Sequence, residues 1–416
     1  MDRYTNMLSQ LLEEVGPRDA WSFQADLSLI LYTLQQDEGI LKAASQSGQW
    51  ADMVRICARQ VYDLPSDHRQ PLENLSETCS AILRTLLQNL AQDQQLLCQN
   101  AAALLDELLQ QMIDRKYTSD LIPPRSLADM MAAMAVPQAP CRILDPVCGS
   151  SRLLLAACGI NHAAELLGIA RSESIAAAAL LRLRLGGIEN GHVERADFFS
   201  RVPHLAERFD VILANPPYDK DLRDTFRYIY AFLNLLKPDG RCAVLVPEGL
   251  LNNTTSQDAV ELRDFLLRCH DLEAVVSLPL RIYWPYTTSH SSLLLFRKGQ
   301  GRQEVFFGRI PDREDLNRGL PDQFYRPDMA QILRAWNSWS AGKLLPEDTE
   351  SLYWTVSWEN IERTRDHVLS AEQYEFSPYV HQKQQIGALE QVRQCQIKLE
   401  HLLLRYMAEQ EAGDEM

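Results

Sequence analysis

The residues best suited to chemistry are Asn215, Pro216, Pro217 and Tyr218, which close the apolar run Asp210-Val211-Ile212-Leu213-Ala214. The Asn215 side-chain oxygen and the Pro216 backbone carbonyl can each accept one N–H. Two acceptors aimed at one amino nitrogen favour a pyramidal geometry and free a lone pair otherwise delocalised into a ring or carbonyl. That arrangement suits transfer of a methyl group from a sulfonium to a conjugated amino nitrogen. The double proline fixes φ and stiffens the turn, so the two acceptors keep their aim. Tyr218 offers a flat face on which a flipped base can stack. The chemistry asks for no metal and no general base of tuned pKa.

A polar turn in a loop is the competing reading of such a string, and a second motif about 70 residues earlier argues against it. There Asp145-Pro146-Val147-Cys148-Gly149-Ser150-Ser151 follows the apolar Cys141-Arg142-Ile143-Leu144. A strand entering a Gly/Ser turn and then a helix lets backbone N–H groups approach a ligand closely at the helix N-terminus. Asp145 is placed to neutralise an amino or sulfonium group of a cofactor. Between the two motifs, Ala196-Asp197-Phe198-Phe199 follows another strand-like run. At that point Asp197 is expected to accept from a cofactor adenine amino group while Phe198 packs on its ring.

These motifs need strands to carry them. Short apolar runs alternate with helical patterns from about residue 140, the signature of a parallel sheet. The spacing predicts strands at 142–144, 166–169, 211–214, 243–246, 274–277 and 292–296. Helices are predicted at 151–158, 174–185, 224–236 and 258–269. The loop 284–289 is too short for a crossover helix, so the last strand should enter antiparallel.

Upstream, residues 1–115 read as helical. Leu8, Leu11, Leu12 and Val15 have helical spacing, as do Ile82, Leu83, Leu86, Leu87 and Leu90, and 101–112 is amphipathic. Gly39, Gly48, Pro65 and Pro71 divide this part into several helices. After Lys298 the pattern weakens, and 300–355 gives no element. Arg302, Arg309, Arg313 and Arg318 there could meet phosphate, though a solvated charged face is the plainer reading. A closing helix over 382–409 carries Leu389, Val392, Leu399, Leu403 and Tyr406 at heptad-like spacing, which suits docking onto another helix.

Composition restricts the options. The 416 residues hold 41 basic and 56 acidic side chains, a net charge of −15, which argues against tight DNA binding by this chain alone. DNA as a substrate would need a local basic groove or a basic partner. Nine scattered cysteines show neither a disulfide framework nor a zinc-ligand pattern. No apolar leader opens the chain and no run is long enough to span a bilayer, so a cytoplasmic location is expected.

Taken together, the motifs resemble those of the modification subunits of type I restriction-modification systems, an N6-adenine DNA methyltransferase family. The likeness runs from about residue 116 to 374. Leu121-Ile122-Pro123-Pro124-Arg125 stands at the family's Tyr-Thr-Pro-Arg segment, and Asp145 to Ser150 at its Asp-Pro-x-Cys-Gly-Ser turn. Gly186-Gly187-Ile188-Glu189-Asn190, Leu236-Lys237-Pro238-Asp239-Gly240-Arg241, Val244-Leu245-Val246-Pro247-Glu248-Gly249, Val275-Val276-Ser277-Leu278-Pro279 and Val368-Leu369-Ser370-Ala371-Glu372-Gln373-Tyr374 follow in the family's order.

The resemblance implies an α/β fold: a Rossmann-like S-adenosylmethionine-dependent methyltransferase core with a helical N-terminal domain and a C-terminal docking helix. The expected divisions are 1–115 for the helical domain, 116–300 for the core, 301–380 for an extension of the core and 381–416 for the last helix and acidic tail. S-adenosylmethionine is the implied cofactor, held by Ile122, Pro123, Asp145, Pro146, Cys148, Gly149, Ser150, Asp197 and Phe198. Asn215, Pro216, Pro217 and Tyr218 are the implied catalytic residues. The implied partners are DNA and a separate specificity subunit, with a restriction subunit as a further one, in a hetero-oligomer.

Three positions depart from the family pattern. Ser151 replaces the second glycine of the cofactor turn, Ala170 stands where an acid would hold the ribose hydroxyls, and Pro123 replaces a threonine. These departures keep open a methyltransferase-like scaffold or DNA clamp that has lost its cofactor. Methylation of a protein glutamine, another planar amide, uses the same acceptor geometry and also stays open.

Overall fold

The computed structural model describes residues 2–36, 54, 57, 77–91, 94–118, 121–205, 208–217, 222–269, 271–299, 303–312, 325–346 and 352–375. The expected helix at 382–409 therefore lies outside the described residues, as do Gly39, Gly48, Pro65, Pro71, Tyr218, Arg302, Arg313 and Arg318. No described helix is long and apolar enough to cross a membrane.

The N-terminal part is helical: α1 (Asp2–Gln36), α2 (Glu77–Ala91) and α3 (Gln94–Asp114). Helix α1 is two stretches meeting at Gly16-Pro17. Gly16 takes φ +74°, open to a residue without Cβ, and Pro17 then starts the next stretch with its φ already set. Leu8, Leu11 and Leu12 are buried with Leu83, Leu86, Leu104, Leu105, Leu108 and Met112, as their helical spacing requires. The same cluster takes in Leu181 and Leu185 from the far side, so the helical part shares a core with the sheet-bearing part.

That second part begins with α4 (Arg125–Ala135) and continues β1 (Arg142–Asp145), α5 (Arg152–Ile160), β2 (Glu165–Ala170), α6 (Glu173–Leu185), β3 (Gly191–Arg195), α7 (Phe198–Leu205) and β4 (Phe209–Ala214). It goes on through α8 (Leu222–Leu235), β5 (Leu236–Pro247), α9 (Gly249–Asn252), α10 (Gln257–Cys269), β6 (Asp271–Ser277), β7 (Ser291–Arg297), β8 (Glu304–Arg309), α11 (Arg326–Ser340) and β9 (Tyr353–Ser357). The described strands form one sheet in the order β3-β2-β1-β4-β5-β7-β6-β8-β9. Strands β3, β2, β1, β4 and β5 pair in parallel, and β7 runs antiparallel between β5 and β6.

Two apolar layers cover the sheet, because side chains alternate faces along each strand. Ile143, Val211, Ala243 and Leu295 face one layer, while Leu144, Ile212, Val244 and Leu294 face the other. Strand β5 starts earlier than 243, since Leu236 already pairs with Phe209 across an irregularity in register.

The segment after Lys298, which shows no pattern in the sequence, adds β8 parallel to β6 and β9 antiparallel to β8. Val305, Phe306 and Phe307 are buried on both faces, so they form a short continuous apolar run without alternation. Helix α11 lies over this edge with Trp336 packed edge-on against Phe306. Further on, the buried Arg263 of α10 donates to the carbonyls of Leu250, Asn253 and Asp366, and Leu369 N–H donates to Leu251 O. The segment resembling the family's late signature is thereby tied to the turn after β5.

Candidate active site

Strands β1, β2 and β4 deliver their C-terminal ends to one hollow of about 310 Å³, where the order of strands reverses around β1 and β4. Open α/β sheets place ligands at this kind of crevice. The ends of β1 and β4 supply Asp145, Cys148, Gly149, Ser150, Asn215, Pro216 and Pro217 to its wall, and the segment before α4 supplies Leu121, Ile122 and Pro123. Most of the residues expected to bind cofactor or substrate are thus brought together.

The β1 turn is shaped by close backbone approach. Cys148 N–H donates to Ile169 O at 3.0 Å, and Ser151 N–H to Cys148 O at 2.7 Å. Gly168 on β2 makes room for it, since a Cβ there would meet Cys148 Sγ at 2.9 Å and Leu154 Cδ1 at 3.1 Å. Ser151, the residue before α5, is fully buried with φ +60°, the left-handed region that suits glycine, and its hydroxyl has no partner among the described residues. Its backbone therefore takes the shape a glycine would take, with added strain.

Asp145 is 1% exposed. Burial pushes its carboxyl up from 3.8 to about 7, and only the Val147 N–H, 3.2 Å from Oδ1, works against that. A buried carboxyl with no counter-charge among the described residues fits a cationic ligand group in the adjoining hollow. Pro146 is buried behind the turn and does not line the hollow.

Asn215 begins the turn after β4. Its amide nitrogen donates to Leu121 O, and its Oδ1 accepts the Tyr283 hydroxyl at 3.1 Å. Pro216 is buried and Pro217 exposed. Pro123 contributes its carbonyl, which accepts from Arg152 Nη1 at 3.1 Å.

Asp197 and Phe198 do not join this group. Asp197 Oδ1 accepts the Ser200 N–H at 3.0 Å, capping α7. Phe198 is not among the residues that line the hollow. Its ring is 3% exposed, stacked on Tyr228 at 5.6 Å and tilted against Phe232, because the first turn of α7 points it into the layer beneath. Ala170 lines the hollow, while Glu173 sits outside its wall with Oε2 on Arg195 at 2.8 Å.

Several contributors escaped sequence reading, Arg152, Arg171 and Tyr283 among them. Arg171 lines the hollow beside Ala170. Tyr283 reaches Asn215 from a segment 68 residues further on, and no spacing rule links the two.

The order β3-β2-β1-β4-β5-β7-β6 with β7 antiparallel between β5 and β6, extended by β8 and β9, and the β1 and β4 turns sharing one hollow, are the pattern of the Rossmann-like S-adenosylmethionine-dependent methyltransferase class. Within that class, residues 107–383 match the model of the N-6 DNA methylase family, and the chain belongs to that family. It is similar to the methylase subunit of the type I restriction enzyme EcoEI from Escherichia coli, 21% identical over 326 residues that cover 71% of this chain. Those residues span 66% of that relative's own length, just under two thirds. The fold is shared with a chain of a type I restriction-modification system at a TM-score of 0.59, 18% identity and 96% coverage of both chains. It is also shared with a type I methyltransferase subunit from Streptococcus thermophilus at a TM-score of 0.57 and 18% identity, covering 89% of this chain and 98% of that one.

Proposed function

We propose that this chain is the methyltransferase subunit of a DNA-modifying complex and transfers a methyl group from S-adenosylmethionine to adenine N6. In this reading a separate specificity subunit recognises the sequence. The observation that carries the proposal is the shared hollow, with the Asn215-Pro216-Pro217 turn on one wall and the Asp145 turn on another. Family membership and the likeness to type I methylase subunits support it.

When bound, S-adenosylmethionine supplies an electrophilic methyl group on a sulfonium. The Asp145 carboxylate offers a counter-charge to a cationic part of the cofactor. The Cys148 to Ser150 turn offers close backbone approach at the start of α5. Asn215 Oδ1 and Pro216 O accept the two N–H bonds of the adenine amino group and turn its lone pair toward the methyl. Tyr218 supplies a stacking face for a base taken out of the duplex. The acidic chain leaves DNA affinity to a partner, which fits work in a complex.

The test is methyl transfer from labelled S-adenosylmethionine to DNA by the chain assembled with its specificity partner, with N6-methyladenine identified by mass spectrometry. Its appearance at defined sites is the expected result; transfer to protein glutamine alone would overturn it.

A second reading, a scaffold that no longer binds the cofactor, draws on Ala170, which gives the hollow no carboxylate for ribose hydroxyls, and on the strained Ser151. It predicts no cofactor binding by the chain, with or without its partner.

A further inference from the structure

The Asn215 amide is held at both ends, by Leu121 O on its nitrogen and by the Tyr283 hydroxyl on its oxygen. A backbone carbonyl can only accept, so Leu121 decides which end of the amide is nitrogen, and Tyr283 meets the oxygen as a donor. Tyr283 lies between β6 and β7, 3% exposed, in the same core cluster as Ile282. It lines a second, larger hollow of about 840 Å³ bounded by α3, α5 and the 282–286 segment. Ile122 and Arg152 line both hollows, so the two adjoin, and Tyr283 reaches Asn215 from the larger one.

We infer that Tyr283 is a positioning residue for methyl transfer, its hydroxyl holding Asn215 Oδ1 so that the second lone pair of that oxygen serves the amino group being methylated. The inference rests on the function proposed above. An amide oxygen has two lone pairs, so the one given to Tyr283 leaves one for the substrate N–H. Without the hydroxyl, the amide is tethered at its nitrogen only. The terminal torsion of an asparagine is broad, so the oxygen then loses its aim. Losing one neutral hydrogen bond should cost roughly tenfold in the population of aligned amide.

Tyr283→Phe keeps the ring and removes the hydroxyl. In the complete complex we expect kcat to fall roughly tenfold, while the KM for DNA and the cofactor Kd stay at wild-type values and the melting temperature falls by no more than about 2–4 °C. Packing alone predicts the reverse pattern, an unchanged kcat or a rise in Kd together with a large fall in melting temperature, and either result would overturn the inference. A wild-type complex that transfers no methyl group removes the proposed function and this inference with it. An active wild type matched by Tyr283→Phe removes the inference alone.

Discussion

The turns that end β1 and β4 sit on neighbouring parallel strands and face one hollow, yet they are stabilised differently. In the β4 turn the Asn215 amide is hydrogen-bonded at both ends. The β1 turn holds a buried carboxyl pushed to about 7, a serine in a glycine conformation and a buried hydroxyl with no partner among the described residues. The turn proposed to be catalytic is organised in advance, which is what transition-state stabilisation requires. The turn proposed to hold the cofactor carries a cost that a cationic ligand would relieve, so on that proposal its stability and its ligand affinity are linked.

The largest effect expected from perturbing this contrast is at Asp145. Asp145→Asn should weaken S-adenosylmethionine binding by roughly 30-fold or more at about pH 8, the scale for removing one partner of a buried charge pair. For the wild type, binding a cation requires the carboxylate. Affinity should therefore be flat above about pH 7 and fall by up to about tenfold per unit below it, whereas the variant shows no such slope. Folding has the opposite sign. A carboxyl raised from 3.8 to about 7 contributes stability present below 3.8 and lost as pH rises through 7. The unliganded Asp145→Asn chain should accordingly melt higher than wild type at about pH 8. A calorimetric titration series and melting curves across pH check both halves.

The next largest is Gly168→Ala, which drives a Cβ into Cys148 and Leu154. Overpacking of this kind costs about 1–3 kcal/mol. Because the contact is with the cofactor turn, denaturant melts should show the loss together with weaker cofactor binding and an unaffected Asn215 amide.

The smallest is Ser151→Gly. It removes the left-handed strain and the unpaired hydroxyl, and should stabilise the chain by about 1 kcal/mol. Denaturant midpoints measure it, and a destabilised variant would contradict the reading of Ser151 as strained.

Much of this contrast was legible in the sequence for a physical reason. Strands β1, β2, β4 and β5 are apolar runs bounded by turn residues, and the ends of β1 and β4 carry the two motifs, so local pattern and proposed function coincide. The antiparallel entry of β7 followed from a loop too short to cross over. Strands β8 and β9 were not legible, because Val305, Phe306 and Phe307 are buried on both faces and their partners come from β6 and from 353–357. The sequence did not show that Asp197 caps α7 or that Phe198 stacks on Tyr228, since both depend on where α7 starts. Tyr283 was missed because a tertiary contact across 68 residues leaves no periodic trace.

The division of labour between the two turns is tested most directly by Asn215→Ala, measured for S-adenosylmethionine affinity and for single-turnover methyl transfer in the assembled complex. The account predicts wild-type affinity with transfer reduced on the order of a hundredfold to a thousandfold, the scale for removing one aligned polar group from a transition state. Retained transfer, or transfer and affinity lost together, would contradict it.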